Sequence, residues 1–321
     1  MNIASGSIKY FRLLVLPSAL MYSLILITLI PTVGIIDRGN YLNYADYPEL
    51  ILLSNYESGL VTVFFNEPVF LLINFFLSFF LNEENVVRAI IFFGSFTTSF
   101  LILKYNYRYF VILLFFLLMP QVLKNYVIHL RQGLALSFFL IGYLSKRKYI
   151  FFIFLSPLIH SSFFLIIFLI YIVKFLEKIN FDFSLKIGFN ILFGILLSLI
   201  LETAGSLIGA RQVNEYQFTD EKTSGIGFLF WLFILFIFYM QGKNFSKSNF
   251  LSISVLIFYL TTYFFIPVTA RIFESGIILI LLSGIDLTYW RKYTFLGLIV
   301  FYTALTYILN LGSPYFGWGV N

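Results

Sequence analysis

The fold class this sequence predicts is an all-α, polytopic helix bundle integral to a membrane, and three observations predict it. Of the 321 residues, 60% are hydrophobic and 11% are charged, against about 25% charged in a soluble domain, so the chain cannot clothe a water-soluble surface. The apolar residues gather in successive runs of roughly 15 to 22 residues, near the twenty or so that a helix needs to cross the hydrocarbon. The basic residues fall in short clusters between those runs, as the positive-inside rule requires.

The runs, in order, are Leu13 to Ile30, Pro68 to Leu81, Val86 to Leu103, Tyr109 to Leu123, Ile128 to Leu144, Tyr149 to Val173, Leu185 to Leu201, Ile226 to Met240, Phe250 to Ile266, Ile272 to Leu287 and Phe295 to Leu311. They amount to about 10 to 11 transmembrane or re-entrant helices. The first is too long for a signal-peptide core and is followed by Pro31 and a polar loop with no small-x-small cleavage site, so it reads as a retained helix. Lys9/Arg12, Lys146/Arg147/Lys148, Lys174/Lys178, Lys243/Lys247 and Arg291/Lys292 then face the cytoplasm. Two polar loops, residues 37–67 and 202–225, fall outside. The run from Tyr149 to Val173 would begin and end in the cytoplasm, so it must bend back near Pro157 and His160 or split into two short helices. Parity also fails once between Glu67 and Lys146, which makes one short run there re-entrant. No repeat, low-complexity tract or flexible linker divides the chain, so residues 1–321 read as a single membrane domain.

Several function classes are disfavoured. The formal charge of +6 is dispersed among loops instead of forming the continuous stripe that nucleic acid needs. With no cysteine, disulfides and thiolate metal sites are unavailable. There is no Gly-rich phosphate loop, no HExxH and no Asp-x-Asp pair, so neither a metal nor a cofactor is expected.

Charges beside apolar runs are functional candidates because burying them is expensive. On one helix from Lys124 through Gly133, Asn125, His129 and Gln132 would share a face and Arg131 would line the next stripe. Such an end suits bidentate capture of phosphate oxygens, or it is an interfacial anchor for headgroups. His160, in the polar island Ser156 to Ser162, can move a proton near neutral pH or serve as an interhelical hydrogen-bonder. Arg271 either pairs with Glu274 three residues on or faces a cavity as an anion ligand. In the outer loop Asp37, Asp46 and Glu57 could act as general bases and Tyr41 and Tyr44 could stack on sugars, but with Arg38 most of these read as solvated loop residues; Glu67 stands apart, abutting a helix at Pro68, where it is either a functional carboxylate or a cap. Arg211 and Tyr315 add weaker polar and aromatic candidates on the same side.

The order of these motifs resembles the EpsG family of polysaccharide polymerases, related to the Wzy-type O-antigen polymerases. The matching pieces are Asp37 and Tyr41, Asn66-Glu67-Pro68 with Phe70, Leu130-Arg131-Gln132-Gly133-Leu134-Ala135, Ile159-His160-Ser161-Ser162, Ala270-Arg271 and Ser313-Pro314-Tyr315. One clear helix precedes Asp37 where relatives often have two. The resemblance implies an envelope enzyme of the cytoplasmic membrane that joins sugar repeat units carried on undecaprenyl pyrophosphate, beside a flippase and a chain-length regulator of the same pathway. Under it, Arg131 and Arg271 stabilise the leaving pyrophosphate, His160, Glu67 or Asp37 is the base, and Tyr41, Asn125, His129, Gln132, Arg211 and Tyr315 bind substrate. A lipid-linked oligosaccharide flippase would share the apolar length, the intramembrane Arg and the broken helices, a single-sugar membrane glycosyltransferase is close in chemistry, and an acyltransferase would share the intramembrane His.

Overall fold

A computed structural model describes residues 5–145, 149–179, 181–204, 225–266 and 269–319. The described residues form 17 α-helices and no strand. Four of these helices are long and apolar enough to cross a membrane, at Tyr10–Leu29, Glu83–Tyr105, Phe183–Ile200 and Tyr289–Leu309, with a fifth if the bent pair Tyr107–Leu117 and Pro120–Val127 is one span. Several shorter apolar helices lie between them, and the whole is a multi-pass membrane protein. The chain clusters into two compact units, Met1–Ser161 with Thr303–Asn321, and Ser162–Tyr302.

In the first unit, α1 (Ser5–Leu29) is followed not by an irregular loop but by three short helices, α2 (Arg38–Asp46), α3 (Pro48–Glu57) and α4 (Leu60–Phe65), and then by α5 (Pro68–Ser78). Pro48 and Pro68 occupy first-turn positions, where the missing N–H is no loss. Next comes α6 (Glu83–Tyr105), capped by the Asn82 side chain, which accepts from the Asn85 N–H at 3.0 Å. Glu83 and Glu84 in its first turn and Lys104 in its last complement the helix dipole.

Contacts along α1 and α6 fix the direction of everything that follows. Near the start of α6, Arg88 donates to the Ile27 carbonyl at the end of α1 over 2.7 Å, so the two helices are antiparallel. Phe11, early in α1, stacks on Phe110 just beyond the far end of α6. There α7 (Phe110–Leu117) begins, and Tyr22 of α1 donates to its last carbonyl, that of Leu117, over 3.0 Å. The chain then bends by 64° into α8 (Pro120–Val127) and returns as α9 (Leu130–Leu144). A Cβ on Gly94, midway along α6, would lie 3.5 Å from the Leu134 amide, which places the first turn of α9 at half the depth of α6. Tyr143 near the end of α9 lies within electrostatic reach of Tyr105 at the end of α6. The run α7–α8–α9 therefore enters and leaves at one end of α6, and its bent first pair is a broken span or a re-entrant loop. From Gly142, where a Cβ would stand 3.0 Å from the Tyr149 carbonyl, the chain returns along α9 as α10 (Phe151–Ile159), whose nine residues rise about 13 Å.

Two expectations are corrected here. Residues 124–133 are not one helix, because α8 stops at Val127 and His129 (φ −96°, ψ 61°) separates it from α9. No proline marks the break. The Ile128 and His129 amides both bond the Lys124 carbonyl, and a Cβ on Gly133 would lie 2.1 Å from the Asn125 carbonyl oxygen, so the missing side chain lets α9 fold back against α8. Likewise Arg38, Tyr41 and Tyr44, expected in solvent, are buried between α2 and the helices it packs on, α5 and α6. By contrast, the expected split of the run from Tyr149 to Val173 occurs at His160, between α10 and α11 (Ser162–Lys178).

The second unit comprises α11, α12 (Phe183–Ala204), α13 (Ile226–Met240), α14 (Lys243–Ser248), α15 (Phe250–Thr262), α16 (Thr269–Ile285) and all but the last turns of α17 (Tyr289–Leu309). Helices α15 and α16 are its buried centre. Serine pairs Ser252–Ser283 and Ser162–Ser275, each at 2.7 Å and buried, join neighbouring helices.

Candidate functional site

Three helix ends converge in the first unit: the start of α5, the start of α9 and the end of α10. Glu67 precedes Pro68 in the left-handed region (φ 60°, ψ 52°), a conformation costing a non-glycine residue about 1–2 kcal/mol. Its carboxylate makes no capping bond, against the capping alternative, and is instead turned inward with 4% of the residue exposed. Oε2 accepts a hydrogen bond from Arg131 Nη1. Oε1 lies 2.5 Å from His160 Nδ1 and 3.4 Å from the Ser161 amide nitrogen, which donates to it.

Arg131 is the second residue of α9, so the fold-back at His129 aims it at α5. Its guanidinium lies over the rings of Tyr41 and Tyr44, 5.8 and 5.3 Å from their centroids, within cation–π range. These tyrosines are one turn apart on α2, and each meets the ring of Phe70 edge-on. Phe70 sits in the first turn of α5, so one buried ring positions both tyrosines relative to Glu67. His160 follows Pro157, the proline inside α10, and takes an extended conformation (φ −150°, ψ 121°) as that helix ends.

The electrostatics select protonation states. Burial pushes the Glu67 carboxyl up, but Arg131 and, after it, His160 more than offset this and hold it well below the usual carboxylate range. An ionised carboxylate only accepts hydrogen bonds, so Nδ1 of His160 carries the proton facing it. In the neutral ring Nε2 is then the nitrogen able to take a proton.

A second carboxylate–imidazole pair stands nearby. Asp37, also left-handed (φ 63°) at the start of α2, has Oδ2 3.8 Å from His129 Nδ1. Asn125 is buried, donates to the Gln121 carbonyl over 3.2 Å and keeps Oδ1 without a partner. Gln132 is buried in the first turn of α9.

Of the expected site residues, the fold thus unites Glu67, Arg131, His160 and Tyr41, and couples Asp37 to His129. Arg271 stands in the first turn of α16 in the second unit. Tyr315 is 47% exposed, in the turn Pro314–Gly317 with φ 48°. Arg211 lies outside the described residues. The sequence reading omitted Tyr44 from the site, although its spacing of three from Tyr41 on a helix was the available signal. It also left Arg38 among solvated loop residues, yet only 1% of it is exposed. Among the described residues no group of three or more His, Cys, Asp or Glu could hold a metal ion.

Neither a curated protein nor a solved structure matches the chain. A family model does match, over residues 18–318, and so takes in every one of these groups. The chain belongs to the EpsG family, a family of Wzy-like polysaccharide polymerases.

Proposed function

We propose that the chain polymerises oligosaccharide repeat units carried on undecaprenyl pyrophosphate, at the outer face of the bacterial cytoplasmic membrane, and that the Glu67–His160–Arg131 cluster is where the bond forms. The observation that carries this reading is the buried carboxylate shared by a histidine and an arginine where three helix ends meet. Glycosyl transfer needs a group to accept the proton of the acceptor hydroxyl and positive charge facing the departing pyrophosphate. Glu67 is ill suited to be the base, because a carboxylate held far below its ordinary range binds a proton poorly at neutral pH. It is suited to orient His160, whose Nε2 takes the proton as the acceptor oxygen attacks the anomeric carbon. The bond from that carbon to the pyrophosphate oxygen breaks, and its electron pair leaves with the lipid pyrophosphate. Arg131, fixed by Glu67 and the two tyrosines, needs little reorganisation to stabilise the developing charge. Tyr41 and Tyr44 offer aromatic faces of the kind on which sugars stack. A flippase and a chain-length regulator of the same pathway are the expected partners.

The test is complementation of a deletion strain with wild type, His160→Gln or Glu67→Gln, followed by sizing of lipid-linked and surface glycans. The expected result is a polymer ladder with wild type only, and accumulation of single repeat units with either variant. A normal ladder in His160→Gln at wild-type protein levels refutes the assignment.

A further inference from the structure

Helices α12, α13 and α15 of the second unit enclose a groove of about 360 Å³. Ile253 and Ile257 of α15 form its buried floor, with Ile187 and Ile191 of α12 on one side and Leu232 and Phe236 of α13 on the other. From Phe183 to Ile191 it runs about 12 Å along α12, close to the ~15 Å that one leaflet contributes to a hydrocarbon core ~30 Å thick. Its two ends differ in character. At one, α12 rests directly on α15, since a Cβ on Gly194 would lie 2.1 Å from Thr261 Oγ1. That hydroxyl donates to the Ile257 and Phe258 carbonyls of its own helix, at 2.9 and 3.0 Å, so this end is apolar. At the other end Tyr239 and Ser246 border the groove, and cations surround it. Lys186 Nζ, in the first turn of α12, stands 5.7 Å from the centre of the Phe250 ring, which the Phe183 ring meets edge-on at 5.9 Å. Lys243 and Lys247 are exposed on α14, to either side of Ser246. Arg291 reaches the same end, where its Nε donates to Gln241 Oε1 over 2.8 Å. Asp182 and Asp286 lie near these cations in the chain, yet among the described residues neither forms an ion pair with any of the four.

The end of α11 packs here too, Leu176 and Phe250 sharing one buried cluster. Three pairs that the positive-inside rule assigns to the cytoplasm, Lys174/Lys178, Lys243/Lys247 and Arg291/Lys292, are thus gathered at one end of the unit. Tyr239, Tyr289, Trp290 and Tyr293 are exposed at this end, and exposed Tyr and Trp collect at the level of lipid headgroups. We propose that the groove holds one acyl chain of an anionic glycerophospholipid of the cytoplasmic leaflet, whose headgroup phosphate meets Lys186, Lys243 and Lys247. Charge complementarity selects this occupant, because basic residues just cytoplasmic of membrane helices attract anionic lipids. A zwitterionic lipid would fill the groove equally well but gain little from the three ammonium groups, so headgroup charge is what the site discriminates. The chain's depth and the position of the polar end agree with a lipid standing in one leaflet, its tail against Ile253 and Ile257 and its phosphate beside Ser246. A lipid seated there bridges α12, α13 and α14, and stabilises the second unit by binding its folded form alone.

The full chain, delipidated in detergent, is titrated with phosphatidylglycerol and, separately, with phosphatidylcholine carrying the same palmitoyl and oleoyl chains. Native mass spectrometry counts bound lipid, and the thermal midpoint is read for wild type, the triple variant Lys186→Gln/Lys243→Gln/Lys247→Gln, and Ile191→Trp, which crowds the groove and leaves the lysines in place. Wild type is expected to bind phosphatidylglycerol about tenfold more tightly than phosphatidylcholine and to gain thermal stability from it. The triple variant is expected to lose that preference at an unchanged ligand-free midpoint, because its three side chains are exposed or half-buried. Ile191→Trp is expected to bind both lipids more weakly; should it fail to fold, Leu232→Trp on the opposite side takes its place. Equal binding of the two lipids by wild type overturns the proposal, as does an undiminished preference in the triple variant, which would place the headgroup elsewhere. Wild-type affinity in the tryptophan variant overturns the groove as the seat of the chain. Farnesyl phosphate, added in competition, is expected not to displace phosphatidylglycerol at equal concentration, and displacement would assign the groove to a prenyl carrier instead.

Discussion

Replacing Glu67 with Gln tests the centre of the site more directly than any loss of activity. In the native chain the Glu67 side chain is 5% exposed and that of Arg131 is 18% exposed, so the variant leaves a guanidinium held over Tyr41 and Tyr44 with no counter-charge. Breaking a buried ion pair from one side destabilises by about 3–5 kcal/mol, most of it the penalty of the stranded partner. Arg131→Gln strands the carboxylate instead, but His160 still faces that carboxylate at 2.5 Å, so its loss should be the smaller of the two. The double variant Glu67→Gln/Arg131→Gln strands neither group and should be destabilised by less than the sum of the single changes, with a coupling of about 2 kcal/mol or more. The assay is thermal unfolding of the four proteins in one detergent, with recovery of folded protein by size exclusion as a second readout. Additive effects would mean that the two side chains do not share one desolvated interaction, and the geometry offered for the site would be wrong.

Other expectations follow from separate features. Gly133→Ala should be badly tolerated, at about 1–3 kcal/mol or more, because its Cβ would strike backbone 2.1 Å away at Asn125; Gly297→Ala, with nothing within 4 Å, is the neutral or slightly stabilising control in the same thermal assay. Because the Glu67 carboxyl is lowered in the folded state, its stabilisation is fully present above the ordinary carboxylate pKa and lost as pH falls through the lowered one. The stability gap between wild type and Glu67→Gln should therefore be flat from about pH 5 to 8 and shrink only in stronger acid, and a gap that closes near pH 6 would contradict the pairing. Tyr44→Leu should keep the fold but reduce polymer length or yield, since it removes one ring and one hydroxyl beside Arg131, and glycan sizing reads this.

Much of the architecture was legible because membrane helices are announced by length and apolarity alone. The run Ile226 to Met240 coincides with α13 at both ends, and Pro157 correctly signalled the break at His160. The break at His129 was not legible, since neither proline nor glycine stands there; it comes from the close approach of Gly133 to Asn125, a contact made only after folding. Nor could sequence show that Glu67 meets Arg131, because 64 residues separate them and the local reading of Glu67, a cap before Pro68, was self-consistent. The polar character of α2 suggested solvent for the same reason: burial of Arg38, Tyr41 and Tyr44 depends on helices that begin dozens of residues later.

The three short helices between α1 and α5 also bear on how sugar specificity could be altered. Grafting this whole stretch from a relative would exchange Tyr41, Tyr44 and Glu67 along with everything else, and would leave Arg131 and Phe70 to find new neighbours. The exposed positions of α3 and α4, such as Leu53, Tyr56 and Leu60, lie outside that set of contacts. Variation confined to them would change the exposed surface beside the cluster's own stretch of chain and leave the cluster's contacts intact, so libraries built there should yield folded protein far more often than loop swaps.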